Sequence, residues 1–223
     1  MKSFRMLALL TSACLLAISA AAHSVWIEPG PEGVLVVRFA EPDGKMERSP
    51  GHLDSLTLPV AWVAISGSGA TNRAVPVSKH SDHFLLAGTA VGDSAQAETA
   101  FDVMGTPGPS ARRPYFYARW QPAGGGAGKP SLNLDIVPTA DAGRVQVCFR
   151  GRPLPGVKAT LRTPDEKESE LVADGDGFLT FPVNQSGFYL VTVARHRETA
   201  GGFAGGAEYG LTSHNASLTW VQP

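Results

Sequence analysis

Short runs of β-forming residues follow one another along this chain, and each is closed by glycine, proline or another turn residue. Residues 34–39, 61–65 and 84–86 are examples, and no extended amphipathic helical pattern follows residue 22. Strand-like runs at short intervals, with turn signals between them, are typical of β-sandwiches. The sequence therefore predicts an all-β fold.

Composition agrees with many short strands and narrows the classes of partner. The chain has 25 glycines and 17 prolines, which suit frequent turns. Its 19 Lys and Arg residues nearly cancel its 20 Asp and Glu residues, so no strong field attracts nucleic acid. The sequence contains no Walker loop, His-Glu-x-x-His or Gly-x-Ser-x-Gly motif. We therefore expect a non-catalytic protein without a nucleic-acid partner.

The first residues have the pattern of a secretory signal peptide. Lys2 and Arg5 precede an apolar run over residues 6–22 that ends in three alanines. A basic start, a short apolar stretch and small residues before the cut are the signature of such a peptide. We expect residues 1–22 to be removed and the protein to be periplasmic. It should not be membrane-embedded, since no second apolar run reaches spanning length.

The remaining residues divide into two predicted β-sandwich domains, Ig-like or transthyretin-like. Residues 23–140 are predicted to form an N-terminal β-sandwich with long loops, including residues 41–52 and the glycine-rich residues 121–129. Residues 141–223 are predicted to form a smaller sandwich, because runs such as residues 157–161 alternate with period two between tight turns.

Particular motifs resemble known proteins. The second segment is similar to a carboxypeptidase-regulatory-like, transthyretin-type sandwich in the motifs RGRPLPGV (150–157), ADGDGF (173–178) and SGFY (186–189). The chain as a whole resembles the DUF4198 family of secreted bacterial proteins in AHSVWIEP (22–29) and SHNASLT (213–219). The similarity is strong from Leu132 onward and weak over residues 41–130. It implies a periplasmic component of nickel or cobalt uptake that works with a membrane metal transporter.

His23 is the most informative of the six histidines, because its chemistry depends on where the signal is cut. Cleavage after Ala22 makes it the first residue, whose α-amine and ring nitrogen together chelate an ion in a copper-type histidine brace. Cleavage after Ala21 makes it the second residue. Cleavage after Ala20 makes it the third, which suits square-planar Cu(II) or Ni(II). Alternatively, His23 is only the polar start of the first strand.

A second candidate set lies near the end of the chain. His196 follows one predicted strand, His214 precedes the last one, and a glycine-rich segment over residues 201–210 reads as the loop between them. Antiparallel pairing of the two strands would place the histidines side by side. Glu198 would add a carboxylate ligand or orient an imidazole. The resemblance supports His196 and His214 as metal ligands, whereas the alternative is that each completes the end of a strand.

His80 and His83 form a third, simpler pattern. They are three residues apart, so on a strand they would face opposite sides, whereas a turn would bring them together with Asp82. We interpret this segment as a solvated turn.

Together these observations predict a periplasmic, non-catalytic protein that binds or delivers nickel, cobalt or copper in metal uptake or homeostasis. The predicted ligands are His23, His196 and His214, with Glu198 as support. One alternative is a metal-free secreted β-sandwich that serves as an interaction or accessory module. Another is a secreted copper enzyme with a brace at His23 and an aromatic substrate face near Tyr115.

Overall fold

The computed structural model describes residues 23–40, 46–64 and 72–223, which form three β-sheets. The predicted all-β fold is confirmed. The predicted signal peptide at residues 1–22 lies outside the described residues. Two short 3-10 turns, Pro31–Gly33 and His52–Ser55, are the helical elements within the described ranges.

The strands are numbered in chain order. They are β1 (Ser24–Pro29), β2 (Leu35–Ala40), β3 (Val60–Ala64), β4 (Asn72–Val75), β5 (Val77–Lys79), β6 (Phe84–Leu86), β7 (Ala95–Ala100), β8 (Gly108–Gln121), β9 (Leu134–Pro138), β10 (Arg144–Phe149), β11 (Arg152–Pro153), β12 (Lys158–Arg162), β13 (Glu168–Val172), β14 (Phe178–Thr180), β15 (Gly187–Glu198), β16 (Gly202–Ala204) and β17 (Ala207–Gln222).

A nine-stranded sheet, here called the central sheet, runs in the order β13-β12-β15-β17-β8-β7-β3-β4, with β16 also paired to β17. Its middle is the parallel pair of the long strands β8 and β17, whereas the other pairs are antiparallel. Strands from both sides of residue 140 therefore share one sheet. The division into two sandwiches stays a prediction.

A four-stranded sheet covers each face of the central sheet. The front sheet has the order β1-β2-β6-β5, and the back sheet consists of β9, β10, β11 and β14. Because side chains alternate along a strand, β8 contributes to both interfaces. Phe116, Ala118 and Trp120 belong to the front core, while Tyr117 belongs to the back core. Burial of apolar surface in these two cores, at roughly 25 cal/mol per Å², provides the main stabilising force.

Two hydroxyl groups on β17 fix the first strand against the central sheet. Ser217 Oγ donates a hydrogen bond to the carbonyl of Val25 at 2.7 Å, and Thr219 Oγ1 donates to the carbonyl of Ile27. All four residues are buried. These bonds satisfy polar groups that would otherwise be costly to bury. They also fix the place where His23, immediately before β1, enters the fold.

Candidate metal site

Three side chains at the edge of the front sheet form a group with the composition of a metal site. Nε2 of His23 lies 2.7 Å from Oε1 of Glu47, and Nδ1 of His52 lies 3.3 Å from the same oxygen. One ligand atom from each residue lies within 4.8 Å of the other two. We call His23, Glu47 and His52 the front triad. Imidazole and carboxylate are both common ligands of first-row transition metals.

The hairpin of β1 and β2 explains how His23 and Glu47 meet. Ser24 pairs with Ala40, so the chain leaving β2 passes beside His23. The backbone N–H of Glu47 then donates to the carbonyl of Phe39 at 3.0 Å. The Phe39 ring also packs against the imidazole of His23, with ring centroids 5.2 Å apart. The front triad is therefore assembled on a strand end and the backbone that folds back along it.

His52 is held by a tightly bonded turn. It begins the 3-10 turn His52–Ser55, which the fully buried Leu53 anchors to the front core. Asp54 accepts hydrogen bonds from the Gly51 N–H at 2.9 Å and from Ser49 Oγ at 2.7 Å. The hydrogen bond from Lys79, with those from Ser49 and Gly51, lowers the pKa of Asp54 to about 2. The turn therefore keeps its shape over a wide pH range, while the His52 ring is exposed to solvent.

The charge state of Glu47 suits a cation. Burial raises the pKa of its carboxyl, but hydrogen bonds from His23 and His52 lower it further than burial raises it, so the net pKa lies below the usual value. The carboxylate is thus ionised at neutral pH and faces two imidazole nitrogens. In the metal-free state these contacts are hydrogen bonds. A bound ion would displace the ring protons that make them.

A cavity of about 270 Å³ opens beside the front triad. Its walls include His23 and His52, the thioether of Met104, and the rings of Phe39, Phe101 and Phe116. Arg112, Arg195 and Asn215 come from the central sheet and complete the lining. An ion held by the triad would therefore have a half-open cavity on one side, into which further ligands fit.

The residues predicted near the end of the chain also meet, but elsewhere. β15 and β17 pair so that His196 lies opposite His214, which confirms the predicted juxtaposition. His214 is buried, and both of its ring nitrogens are engaged: Nε2 lies 3.0 Å from Oε1 of Glu198, and Nδ1 lies 2.9 Å from the Tyr117 hydroxyl. Arg150 Nη2 donates to the same Glu198 oxygen at 2.7 Å. We call His196, His214 and Glu198 the back cluster.

The structure does not bring His23 together with the back cluster. Asn215 lines the cavity beside His23, whereas the neighbouring His214 packs on the back face against Tyr117 and Phe149. Successive residues of a strand point to opposite faces, so the central sheet separates the two groups. Within residues 23–40, 46–64 and 72–223, the front triad is the group of three His, Cys, Asp or Glu residues with ligand atoms near enough to share an ion.

The back cluster has the electrostatics of a packed polar network. Burial lowers the pKa of His214, against the opposing effect of its hydrogen bond to Glu198. Burial also lowers the pKa of His196, again against the charge of Glu198. Both imidazoles are therefore held neutral. In the tautomer that satisfies both neighbours of His214, Nε2–H donates to Glu198 and Nδ1 accepts from Tyr117.

These lowered pKa values predict an acid-sensitive fold. Above the ordinary histidine pKa of about 6.5 the full stability is present, and it falls as the pH drops towards the folded-state values, because the unfolded chain binds protons first. For His214 the slope is at most about 1.4 kcal/mol per pH unit. Urea unfolding at several pH values between 7 and 5 measures how the free energy of unfolding changes with pH.

The control is the same unfolding series on variants of the back cluster. His196→Gln should reduce the slope between pH 7 and 5, and His214→Gln should reduce it further at some cost in stability. The lowered carboxyl pKa values of Glu47 and Asp54 act only at lower pH. If neither variant changes the slope, the pH dependence of stability does not come from the histidines of the back cluster.

His80 and His83 stack on each other at the turn between β5 and β6, with ring centroids 4.7 Å apart. Asp82 lies 2.7 Å from His83 Nδ1 and is also paired with Arg38 at 3.0 Å. Hydrogen bonding from His83 and the charge of Arg38 outweigh burial and lower the pKa of the Asp82 carboxyl. The predicted turn is present, and its carboxylate is already neutralised by Arg38.

Glu47 and His52 were not among the predicted ligands. Both lie in the segment predicted as a long loop, where no periodicity or motif distinguishes them. The feature that could have indicated these two ligands is the β1–β2 hairpin that precedes the loop. Two antiparallel strands at residues 24–29 and 35–40 return the chain to His23, so any ligand within the following residues becomes a neighbour.

Comparisons with protein-family models, curated proteins and solved structures give no match to this chain. Neither 3-10 turn in the described part of the chain has the length and apolar character that a membrane-spanning helix needs.

Proposed function

We propose that this is a periplasmic, non-catalytic protein that binds a transition-metal ion at the front triad, for metal uptake or homeostasis. The observation that carries the proposal is the convergence of ligand atoms from His23, Glu47 and His52 within 4.8 Å of one another. The ion is nickel, cobalt or copper. The front triad takes the place of the shared site first expected at His23, His196 and His214.

The ligand chemistry supports this class of ion. Two imidazoles and one carboxylate suit borderline divalent metals rather than calcium or magnesium, which prefer oxygen ligands alone. Affinity at such a site rises from cobalt through nickel to copper.

The solvent exposure of the two histidine ligands supports a protein that passes the ion to a partner rather than one that stores it. The His52 side chain is 70% exposed and that of His23 is 39% exposed, so an ion here is accessible to a partner. A structural metal site is normally closed by four protein ligands, whereas the front triad supplies three. An open position and exposed ligands suit transfer of the ion to a membrane metal transporter.

Removal of residues 1–22 would strengthen the site. Cleavage after Ala22 would free the α-amine of His23, and this amine together with the ring would chelate the ion while Glu47 and His52 bind from the other side. Cleavage after Ala21 would leave the front triad as the ligand set, whereas cleavage after Ala20 would make His23 the third residue and offer a square-planar chelate as the alternative. The mass of the mature protein distinguishes these registers.

Titration of the purified protein with Cu²⁺, Ni²⁺, Co²⁺ and Zn²⁺ tests the proposal. We expect one equivalent of ion to bind, most tightly for copper, as measured by calorimetry and by native mass spectrometry. Because the ion binds the folded state, it should also raise the melting temperature, with about 2.7 kcal/mol of stabilisation at a hundredfold excess over Kd.

The matched control is the back cluster. His196→Gln removes one of its imidazoles and should leave metal binding unchanged. If that variant loses the ion while front-triad variants keep it, the ion belongs to the back cluster. If none of the four ions binds at micromolar concentration, the metal-free interaction module becomes the better explanation.

A further inference from the structure

Among the described residues that line the cavity beside the front triad there are two arginines and no carboxylate. Arg112 and Arg195 line it, and Arg197 lies close enough for its charge to act on Arg112. Within the described part of the chain, the ion pairs formed by arginines involve other residues: Arg38, Arg119, Arg144, Arg150 and Arg162. The guanidinium of Arg112 donates a long hydrogen bond from Nη1 to Ser213 Oγ at 3.5 Å.

The clustering of three positive guanidinium groups raises the free energy of the folded protein unless an anion binds between them. Burial lowers the pKa of Arg112, and the charges of Arg195 and Arg197 lower it further. Like charges at short range repel one another, and here Arg112 is partly buried while Arg195 and Arg197 are exposed to solvent. A carboxylate placed between the guanidinium groups would reverse the sign of these interactions, since Arg binds carboxylates in bidentate fashion.

Arg195 is held in place by an unusual backbone. It lies at an irregularity where the β15–β17 register shifts between Val193 and His196, and it adopts a left-handed conformation with φ of 59°. Its N–H donates to Oδ1 of Asn215 at 3.0 Å. Non-glycine residues in this region are strained, and bulges re-aim side chains next to functional sites. At this irregularity in β15, Arg195 forms part of the wall of the cavity.

The remaining walls suit a small organic molecule rather than a bare ion. Phe39, Phe101 and Phe116 contribute apolar surface, and Asn215 contributes a polar amide. The volume of about 270 Å³ is far larger than a metal ion requires. The front triad adjoins this space and leaves coordination positions free for additional ligands.

We propose that the cavity binds the carboxylate groups of a small polycarboxylate chelator, whose other oxygens coordinate the ion held by His23, Glu47 and His52. Arg112 and Arg195 bind the carboxylate, and the ion is carried as a ternary complex of protein, metal and chelator. This inference rests on the proposed function, and it names the form in which the metal is bound.

Equilibrium dialysis with radiolabelled citrate and Ni²⁺ tests the inference, with the metal in each chamber measured by mass spectrometry. We expect the protein to retain citrate and nickel in equal amounts. Without nickel, citrate retention should fall by about tenfold or more, because coordination to the ion is lost. Inorganic phosphate, which offers charge without chelation, should not displace citrate at equal concentration.

Variants separate the two parts of the site. Arg112→Gln with Arg195→Gln should keep nickel in the absence of citrate and retain citrate about tenfold less, since charge-assisted hydrogen bonds are lost. Arg195→Gly fits the left-handed conformation and so preserves the fold while removing the charge. Arg73→Gln, on strand β4 outside the cavity lining, is the matched control and should behave like the wild type.

The outcomes distinguish this inference from the proposed function. Nickel retained while citrate is not, or citrate retained equally by the wild type and the arginine variants, would overturn the inference and leave metal binding intact. Failure to retain nickel with or without citrate would overturn the proposed function, and the inference with it.

Discussion

Replacing Asp135 by alanine should destabilise the protein by about 3–5 kcal/mol, because it leaves the guanidinium of Arg119 buried without its partner. Arg119 is 2% exposed and Asp135 is fully buried. The two side chains form a bidentate pair, with Arg119 Nε donating to Oδ1 at 3.0 Å and Nη2 to Oδ2 at 2.7 Å. This cost is a large part of the roughly 5–15 kcal/mol that stabilises a typical domain.

The pair joins two layers of the fold, so its loss should weaken the packing of the back sheet on the central sheet. Arg119 lies on β8 in the central sheet, and Asp135 lies on β9 in the back sheet. Asp135 also accepts the backbone N–H of Ser131 at 2.9 Å, and Arg119 donates to the Lys129 carbonyl at 3.1 Å. The alanine variant therefore also removes the acceptor of the backbone N–H groups of Ser131 and the buried Leu132, and a buried donor left unpaired costs about 1–3 kcal/mol.

Urea unfolding of Asp135→Ala, followed by tryptophan fluorescence, measures the change. Lys158→Ala is the control, because its ion pair with Glu170 is exposed on both sides and should contribute less than about 1 kcal/mol. The double variant Arg119→Met with Asp135→Leu should recover much of the loss, since no buried charge remains. A cost below 1 kcal/mol for Asp135→Ala would show that water reaches this pair in solution.

The all-β fold could be predicted from the sequence because its signals are local. Strand alternation and turn residues at short intervals are visible within a few residues of one another, as in residues 157–161. The central sheet could not be predicted in this way. Its middle pair places Ser217 on β17 beside Ala118 on β8, far apart in the chain, and no local pattern encodes that parallel register.

The site shows the same division between local and distant information. The predicted juxtaposition of His196 and His214 is confirmed by the antiparallel register of β15 and β17. The glycine-rich segment predicted as a loop over residues 201–210 is instead mostly strand, because it contains β16 and the beginning of β17. The face on which each histidine lies depends on the layers that cover the sheet, which the sequence alone does not determine. Glu47 and His52 were not predicted as ligands because the position of a ligand in a loop depends on how the strands on either side of the loop pair.

The strongest functional effect is expected at the front triad. His23→Gln and His52→Gln should each weaken metal binding by more than the roughly 10–100-fold that loss of an outer-shell partner costs, because a direct ligand is removed. The double variant should show no binding at micromolar concentration. Glu47→Gln keeps an oxygen but loses the negative charge, so its effect should be smaller than that of either histidine variant.

Calorimetric titration with Cu²⁺ and Ni²⁺ measures these losses, and His80→Gln with His83→Gln is the matched control. That pair of histidines is also on the front sheet but has no role in the triad, so the control should bind with unchanged affinity. Wild-type affinity should fall as the pH drops from 7.5 to 5.5, because metal binding must displace protons from imidazole nitrogens. Equal binding by the wild type and the His23→Gln, His52→Gln double variant would place the ion elsewhere in the chain. Affinity that does not change with pH would exclude imidazole as the principal ligand.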